Sequence, residues 1–173
     1  IEKTRKLNIK EDIYFEIIKN KTASLLSSAC GAGAWSTSKN EFITNQMKIF
    51  GEKTGIAFQI KDDLFDYGTE DIGKPTGNDI KEKKLTLPLI YTLNKVDRIK
   101  KNEIINIVKN YNKDKEKIKY VLQIVNECGG IDYSIKKKEN YRDQSLEILY
   151  QFPKGDVRDG LEELVRYTTD RKY

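Results

Sequence analysis

The stretch that decides the fold is an acidic and apolar helix pattern: residues 55–66 read GIAFQIKDDLFD. Successive residues of a helix turn by about 100°, so one arc holds Gln59, Asp62, Asp63 and Asp66, while most large apolar side chains fall elsewhere. The apolar spacing continues towards the N-terminus and predicts a helix over residues 40–67. This helix is two-faced, with one side suited to packing and the other to polar chemistry.

Helical periodicity continues on both sides of this stretch. Apolar spacing predicts one helix before it and four in the second half of the chain, over residues 12–35, 101–111, 114–128, 132–151 and 156–171. Residues 68–79 hold three glycines and a proline and are predicted to be a loop, after which Thr86 and Pro88 start another helix. Since no segment alternates convincingly like a strand, the sequence predicts an all-α fold.

Composition sets the limits on protein class. A chain of 173 residues fits one domain, and its 34% charged content is typical of a soluble protein. No apolar run approaches the roughly 18 residues that span a membrane. Two cysteines without metal-ligand spacing, and no histidine, argue against a zinc site. The net charge of +5 suits an anionic partner without identifying it.

The aspartates of the stretch favour a magnesium site. Asp62 and Asp66 lie one helical turn apart, where like charges repel unless a cation lies between them, and Asp63 is adjacent. Mg²⁺ prefers oxygen ligands and is typically held by one or two carboxylates together with substrate phosphates. The alternative is an acidic face that water simply solvates. Gly51 and Gly55 favour the first interpretation, because helix-interior glycines cost stability and suit a substrate cleft.

Several lysines are placed where they could bind a phosphate. Lys21 continues the stripe of Ile13 and Ile17, so it is expected to point inward, although a lysine there can also snorkel along the helix surface. Lys74 lies in the glycine-rich loop that follows the aspartates, and Lys83 or Lys84 could add a further phosphate contact at the next helix start.

In this order, the motifs closely resemble the second half of the trans-isoprenyl diphosphate synthases. The resemblance is strongest over residues 55–66, Gly73-Lys74-Pro75 and Lys84-Leu85-Thr86-Leu87-Pro88. It extends to Lys21-Thr22-Ala23 and to Leu161, Tyr167 and Arg171 in the closing helix. The resemblance implies an isoprenoid-synthase-type helical bundle, with residues 1–173 forming the C-terminal part of a single all-α domain. It also implies a cytoplasmic homodimer.

The same resemblance implies a prenyltransferase that condenses an allylic diphosphate with isopentenyl diphosphate, with Mg²⁺ assisting loss of the allylic diphosphate group. Asp62, Asp63 and Asp66 would be the metal-binding residues. Lys21, Thr22, Gln59 and Lys74 are implied as catalytic residues. Substrate-binding residues would be Lys21, Phe58, Gln59, Lys74 and Lys84.

The sequence departs from the family pattern in one large respect, because the family's first aspartate-rich motif has no counterpart here. The chain also begins at Ile1 without an initiator methionine. Both features favour a fragment of a longer synthase that lacks its N-terminal part and is incomplete alone. The alternative is a non-catalytic or regulatory subunit of a heteromeric prenyl synthase, which degraded aspartates would favour and these intact ones do not.

Single features of the sequence are also compatible with two further classes of protein. A class I terpene cyclase would carry a different second metal motif, built from Asn, Ser or Thr and Glu, and none lies on a plausible helix. A basic helical nucleic-acid-binding module is suggested by the lysines between Lys95 and Lys119, but no docking motif accompanies them, so no nucleic-acid partner is expected. A chain without the N-terminal helices of the family would expose the apolar faces that those helices cover. This exposure predicts self-association or low stability of these 173 residues alone.

Overall fold

The structure is a computed structural model that describes residues 10–68 and 76–170. Within these ranges all regular secondary structure is helical, which confirms the predicted all-α fold. The α-helices are α1 (Glu11–Ile18), α2 (Ser24–Ser38), α3 (Glu41–Leu64), α4 (Asn78–Lys81), α5 (Leu87–Lys95), α6 (Arg98–Asn110), α7 (Lys115–Glu127), α8 (Gly130–Leu149) and α9 (Asp156–Asp170). A π-helical turn (Lys19–Ala23) joins α1 to α2, and a 3₁₀ turn (Phe65–Tyr67) follows α3.

The buried stripe of α1 corrects one expectation from the sequence. Tyr14 and Ile18 are buried, whereas Ile13 and Ile17, one position earlier, are only partly buried. A π turn takes one more residue than an α turn, so the buried stripe next reaches Ala23, five positions after Ile18. Lys21 lies off this stripe and is exposed, so the expectation that it points inward is wrong.

The chain divides into two compact units, one of residues 1–14 and 62–135 (unit 1) and one of residues 15–61 and 136–173 (unit 2). The boundaries fall inside α1, α3 and α8, each of which contributes residues to both units.

Unit 1 is built on α5, α6 and α7, which pack against one another. Asp97 and Asp114 cap α6 and α7, because each side chain accepts hydrogen bonds from two backbone N–H groups of the first turn. Gly130 lies where a Cβ would come within 2.5 Å of the Pro88 carbonyl oxygen, so only glycine permits this approach. The core is apolar, with fully buried side chains including Ile80, Leu87, Leu89, Ile90, Ile104, Val108, Val121 and Val125.

Unit 2 contains a close helix pair, because α2 packs tightly against α3. A Cβ on Gly51 would lie 2.6 Å from the Leu26 carbonyl oxygen, and one on Gly55 would lie 2.6 Å from the Ala23 Cα. The two glycines therefore allow the backbones to approach. This packing role replaces the predicted one, in which the glycines opened a substrate cleft.

A second part of unit 2 is an apolar cluster formed by Phe50, Leu146, Leu149 and Val165. Apolar side chains are also exposed on this unit, including Leu25, which is 75% exposed, and Phe42, which is 68% exposed. Over residues 10–68 and 76–170, no helix combines the length and the apolar character that crossing a membrane requires.

Candidate functional site

The three aspartates of the helix pattern lie in three different environments, all within unit 1. Asp66 lies in the 3₁₀ turn after α3, where its two carboxylate oxygens accept hydrogen bonds from the backbone N–H groups of Asn78 (2.7 Å) and Asp79 (2.9 Å). The first turn of a helix has unpaired N–H groups, so an acceptor at this position stabilises α4. This helix begins inside the predicted loop of residues 68–79. Residues 69–75 of that loop lie outside the described residues.

The backbone around this contact depends on Gly77. The Gly77 N–H donates to the Asp66 carbonyl oxygen at 3.0 Å, and Gly77 adopts a φ of 79°, in the left-handed region that favours glycine. Burial raises the pKa of Asp66, although the N–H groups of Asp79 and Asn78 act in the opposite direction. The carboxylate is therefore held firmly in an environment that does not fully favour its charge.

Asp63 is positioned by a residue of α1. The Tyr14 hydroxyl donates to the Asp63 Oδ2 at 2.7 Å, across 49 residues of sequence. Tyr14 is only 3% exposed, and burial followed by the negative charge of Asp63 raises its pKa well above the usual value. The hydroxyl therefore keeps its proton at neutral pH and acts as a donor.

Asp62 differs from both neighbours because its side chain is exposed at the last turn of α3. In the part of the chain that the structure describes, no three His, Cys, Asp or Glu side chains are grouped closely enough to hold a metal by themselves. A magnesium site does not require such a group, since Mg²⁺ commonly uses one or two carboxylates and completes its shell with water and phosphate oxygens. The exposed carboxylate of Asp62, beside two positioned ones, fits that requirement.

Acidic and basic side chains meet beside Asp66. Burial and the charge of Asp66 raise the pKa of Asp79. Lys84 Nζ lies 3.5 Å from Asp79 Oδ1 and also pairs with Glu82, and these partners, the Glu82 hydrogen bond first, raise the pKa of Lys84. Lys81 Nζ donates to Asn78 Oδ1 at 3.0 Å. The predicted phosphate ligand Lys84 is therefore already engaged with carboxylates, and an incoming phosphate would compete with them.

Sequence reasoning passed over Tyr14, Asn78 and Asp79. A glycine followed by Asn-Asp is a recognisable helix-start signal that could have indicated the last two. Nothing in the sequence pairs Tyr14 with Asp63, because their contact depends on tertiary packing. Lys83, the other lysine considered for phosphate binding, instead donates to the Lys109 carbonyl oxygen at 2.7 Å near the end of α6.

In unit 2, two predicted site residues contact each other. The Thr22 hydroxyl donates to the Gln59 Oε1 at 2.9 Å, and Gln59 is 3% exposed. The close packing of Gly55 on Ala23 brings these two side chains together. Phe58 is partly buried on the same helix, and Lys21 is exposed on the π-helical turn. Of the other predicted residues, Lys74 and Arg171 lie outside the described residues.

The closing helix named in the sequence analysis is α9. Leu161 packs against the apolar cluster of unit 2, whereas Tyr167 is 66% exposed. Asp170, at the end of this helix, accepts a hydrogen bond from Arg142 Nη1 at 2.9 Å and lies 3.4 Å from Lys138 Nζ. Burial alone would raise the pKa of Asp170, but Arg142 and then Lys138 lower it below the usual value.

Comparison with known proteins gives one consistent result. A family model described as "Polyprenyl synthetase" matches residues 1–125. The chain is 29% identical over 172 residues to "Heptaprenyl diphosphate synthase component 2" of Bacillus subtilis, covering 97% of this chain and 48% of that protein. It is 33% identical over 162 residues to "Short chain isoprenyl diphosphate synthase" of Methanocaldococcus jannaschii, covering 92% of this chain and 49% of that protein.

Solved structures give the same result for the fold. The crystal structure of geranylgeranyl pyrophosphate synthase from Bacteroides thetaiotaomicron matches with a TM-score of 0.89 and 34% identity, covering 98% of this chain and 57% of that one. The chain spans about half the length of the curated relatives it matches.

Proposed function

The chain belongs to the polyprenyl synthetase family, and on this premise we propose that it forms the metal- and diphosphate-binding part of a polyprenyl diphosphate synthase. The proposed reaction condenses an allylic diphosphate with isopentenyl diphosphate and gives a longer polyprenyl diphosphate. The names of the relatives support this class of reaction. This chain spans about half of the length of those relatives, so the proposed reaction belongs to the whole protein.

The observation that carries the proposal is the arrangement of the aspartates in unit 1. Asp62 is exposed at the end of α3, while Asp63 and Asp66 are held by Tyr14 and by backbone N–H groups. We propose that Asp62 and Asp66 hold Mg²⁺, with Asp63 in support. A carboxylate oxygen that accepts one hydrogen bond keeps a second lone pair, so Asp66 can serve both α4 and a cation. Bound Mg²⁺ would stabilise the negative charge that develops on the departing diphosphate.

The proposed roles of the other residues are those that the family resemblance implies, and their chemistry is compatible with these roles. Lys21, Lys74 and Lys84 would contact the allylic diphosphate, since ammonium groups pair well with phosphate oxygens. Lys84 would exchange its contacts with Glu82 and Asp79 for the substrate. Thr22 and Gln59 would place oxygen atoms near the developing allylic cation, and their mutual hydrogen bond fixes both side chains. The ring of Phe58 would favour the same positive charge.

A second candidate function is a non-catalytic or regulatory subunit of a heteromeric prenyl synthase. One observation favours its heteromeric part: a relative carries the name "Heptaprenyl diphosphate synthase component 2". We also propose that the protein forms a homodimer in the cytoplasm and that residues 1–173 are the C-terminal part of a single all-α domain.

The test is a chain-elongation assay on the protein as its gene encodes it, after its intact mass has been measured. The protein would be incubated with isopentenyl diphosphate, farnesyl diphosphate and Mg²⁺, and the products identified by mass spectrometry. We expect elongated prenyl diphosphates that disappear when EDTA removes Mg²⁺. A protein of about 20.1 kDa that binds Mg²⁺ and diphosphate but forms no product would support the subunit instead. Absence of both binding and product would contradict the proposed function.

A further inference from the structure

The contact between Tyr14 and Asp63 suggests a role that the proposed function does not require by itself. Tyr14 lies in α1, whereas Asp63 lies near the end of α3. Their hydrogen bond measures 2.7 Å, and the tyrosine ring is 3% exposed. The hydroxyl is therefore held in the interior of unit 1 at a fixed distance from the carboxylate.

The chemistry of the donor matters as much as its position. A tyrosine hydroxyl is neutral, so it can orient a carboxylate without cancelling the negative charge that attracts a cation. A lysine or arginine at the same place would compete with a metal ion for that charge. Metal-binding carboxylates are commonly hydrogen-bonded by groups outside the coordination shell, and removal of such a group typically costs 10- to 100-fold in metal affinity.

Asp63 also shares the last turn of α3 with Asp62. A carboxylate fixed at Asp63 reduces the number of side-chain arrangements open to the cluster. Asp66 is fixed from the other side by the backbone of α4.

We propose that Tyr14 is a positioning residue that orients Asp63 and thereby sets the affinity of the aspartate cluster for Mg²⁺, an inference that rests on the proposed function. Tyr14 acts through Asp63 and need not touch the substrate. Its loss then weakens Mg²⁺ binding more than it weakens the fold.

The chain contains a matched control. Tyr133 donates to the carboxylate of Glu11, also on α1 and also in unit 1, at 2.7 and 2.8 Å. Tyr133→Phe therefore removes the same kind of tyrosine–carboxylate hydrogen bond without touching the aspartate cluster. A general loss of α1 anchoring would affect both variants in the same way.

The experiment measures the Mg²⁺ concentration that half-saturates binding of a non-reactive allylic thiolodiphosphate, by calorimetry, for the protein as its gene encodes it. We expect Tyr14→Phe to raise this concentration by about 10- to 100-fold and Tyr133→Phe to leave it unchanged. Equal Mg²⁺ dependence in the wild type and in Tyr14→Phe would overturn the role of Tyr14. So would equal weakening in both variants with a matching loss of thermal stability.

A second variant tests the route of the effect. Asp63→Asn keeps an oxygen that accepts from Tyr14 but removes the charge, so it should also weaken Mg²⁺ binding, and an unchanged affinity would overturn the inference even if Tyr14→Phe failed to fold. If Tyr14 acts through Asp63, the double variant binds Mg²⁺ no more weakly than Asp63→Asn alone, and additive losses would contradict this. A wild-type protein without any Mg²⁺-dependent binding would instead refute the proposed function, and this inference with it.

Discussion

Two aspartates at helix ends, Asp66 in unit 1 and Asp170 in unit 2, are held in opposite ways. Asp66 accepts hydrogen bonds from two backbone N–H groups, and burial raises its pKa. Asp170 pairs with the cations Arg142 and Lys138, which lower its pKa against the effect of burial. The charge of Asp170 is therefore largely matched within the protein. The charge of Asp66 is matched less well, which costs stability and suits a residue that awaits a cation.

The largest effect is expected for Asp62→Ala, which removes the exposed carboxylate of the cluster that contains Asp66. No comparable loss is expected in unit 2, where the charge of Asp170 is already matched. We expect kcat/KM for chain elongation to fall by about 100- to 1,000-fold, the range typical for loss of one group that stabilises developing charge. The measurement is a steady-state assay at saturating Mg²⁺.

Glu147→Ala is the control for that substitution, because Glu147 is exposed on α8 in unit 2. Its activity should equal that of the wild type. If Asp62→Ala retained full activity, the acidic face would be merely solvated, which was the alternative open at the level of sequence.

The next largest effect concerns the scaffold of unit 2. Gly55→Ala places a Cβ 2.6 Å from the Ala23 Cα, so the π-helical turn that leads into α2 must shift, and overpacking of this kind costs about 1–3 kcal/mol. Chemical denaturation should show this loss in the free energy of unfolding. Gly33→Ala is the control, since no atom lies within 4 Å of its Cβ position and alanine is the better helix former. A stabilised Gly55→Ala variant would contradict the close packing of α2 on α3.

A smaller effect is expected for Asp170→Asn, which removes the charge that Arg142 and Lys138 share. We expect the free energy of unfolding at pH 7 to fall by about 0.5–1 kcal/mol, since the site is partly exposed. A lowered folded-state pKa contributes stability above the unfolded value of about 3.9, and this contribution is lost as the pH falls through the folded value. Urea unfolding at several pH values should therefore show the difference from wild type closing below about pH 4. A difference that persisted there would argue against charge pairing.

The smallest effect, and one of opposite sign, is expected for Asp79→Asn. Because burial and Asp66 raise the folded-state pKa of Asp79, its carboxylate loses its stabilising contribution as the pH rises through that value. The amide variant should therefore be more stable than wild type at pH 7, and the difference should shrink on acidification. The same urea series checks this, and a variant less stable than wild type at pH 7 would remove the contrast with Asp170.

Except for α4, which begins inside the predicted loop, the helices and most of their bounds could be predicted from the sequence, because amphipathic spacing and polar caps are local signals. Asp97 and Asp114, for example, cap their helices through neighbouring N–H groups. The orientation of Lys21 could not be predicted, because Ile13 and Ile17 mark an apolar stripe one position away from the buried residues Tyr14 and Ile18. The glycines of α3 were assigned to a cleft because sequence alone does not distinguish a close helix contact from an open surface.

The aspartates of the candidate site were identified as a group from their spacing, but their separate environments were not. The hydrogen bond from Tyr14 and the pairing of Asp66 with α4 join segments that are distant in sequence. A local signal can mark the start of α4, but which acceptor reaches it, and which donor reaches Asp63, depends on tertiary packing.

On the proposed function, the aspartate cluster of unit 1 binds a divalent cation together with a diphosphate. The most direct measurement is a crystal structure of the protein with Mn²⁺ and a non-reactive allylic thiolodiphosphate, in which anomalous scattering locates the metal. We expect an anomalous peak for a metal ion that is bound by Asp62, Asp66 and oxygen atoms of the diphosphate. Ordered diphosphate with no metal at these carboxylates, or a peak only elsewhere on the protein, would contradict it.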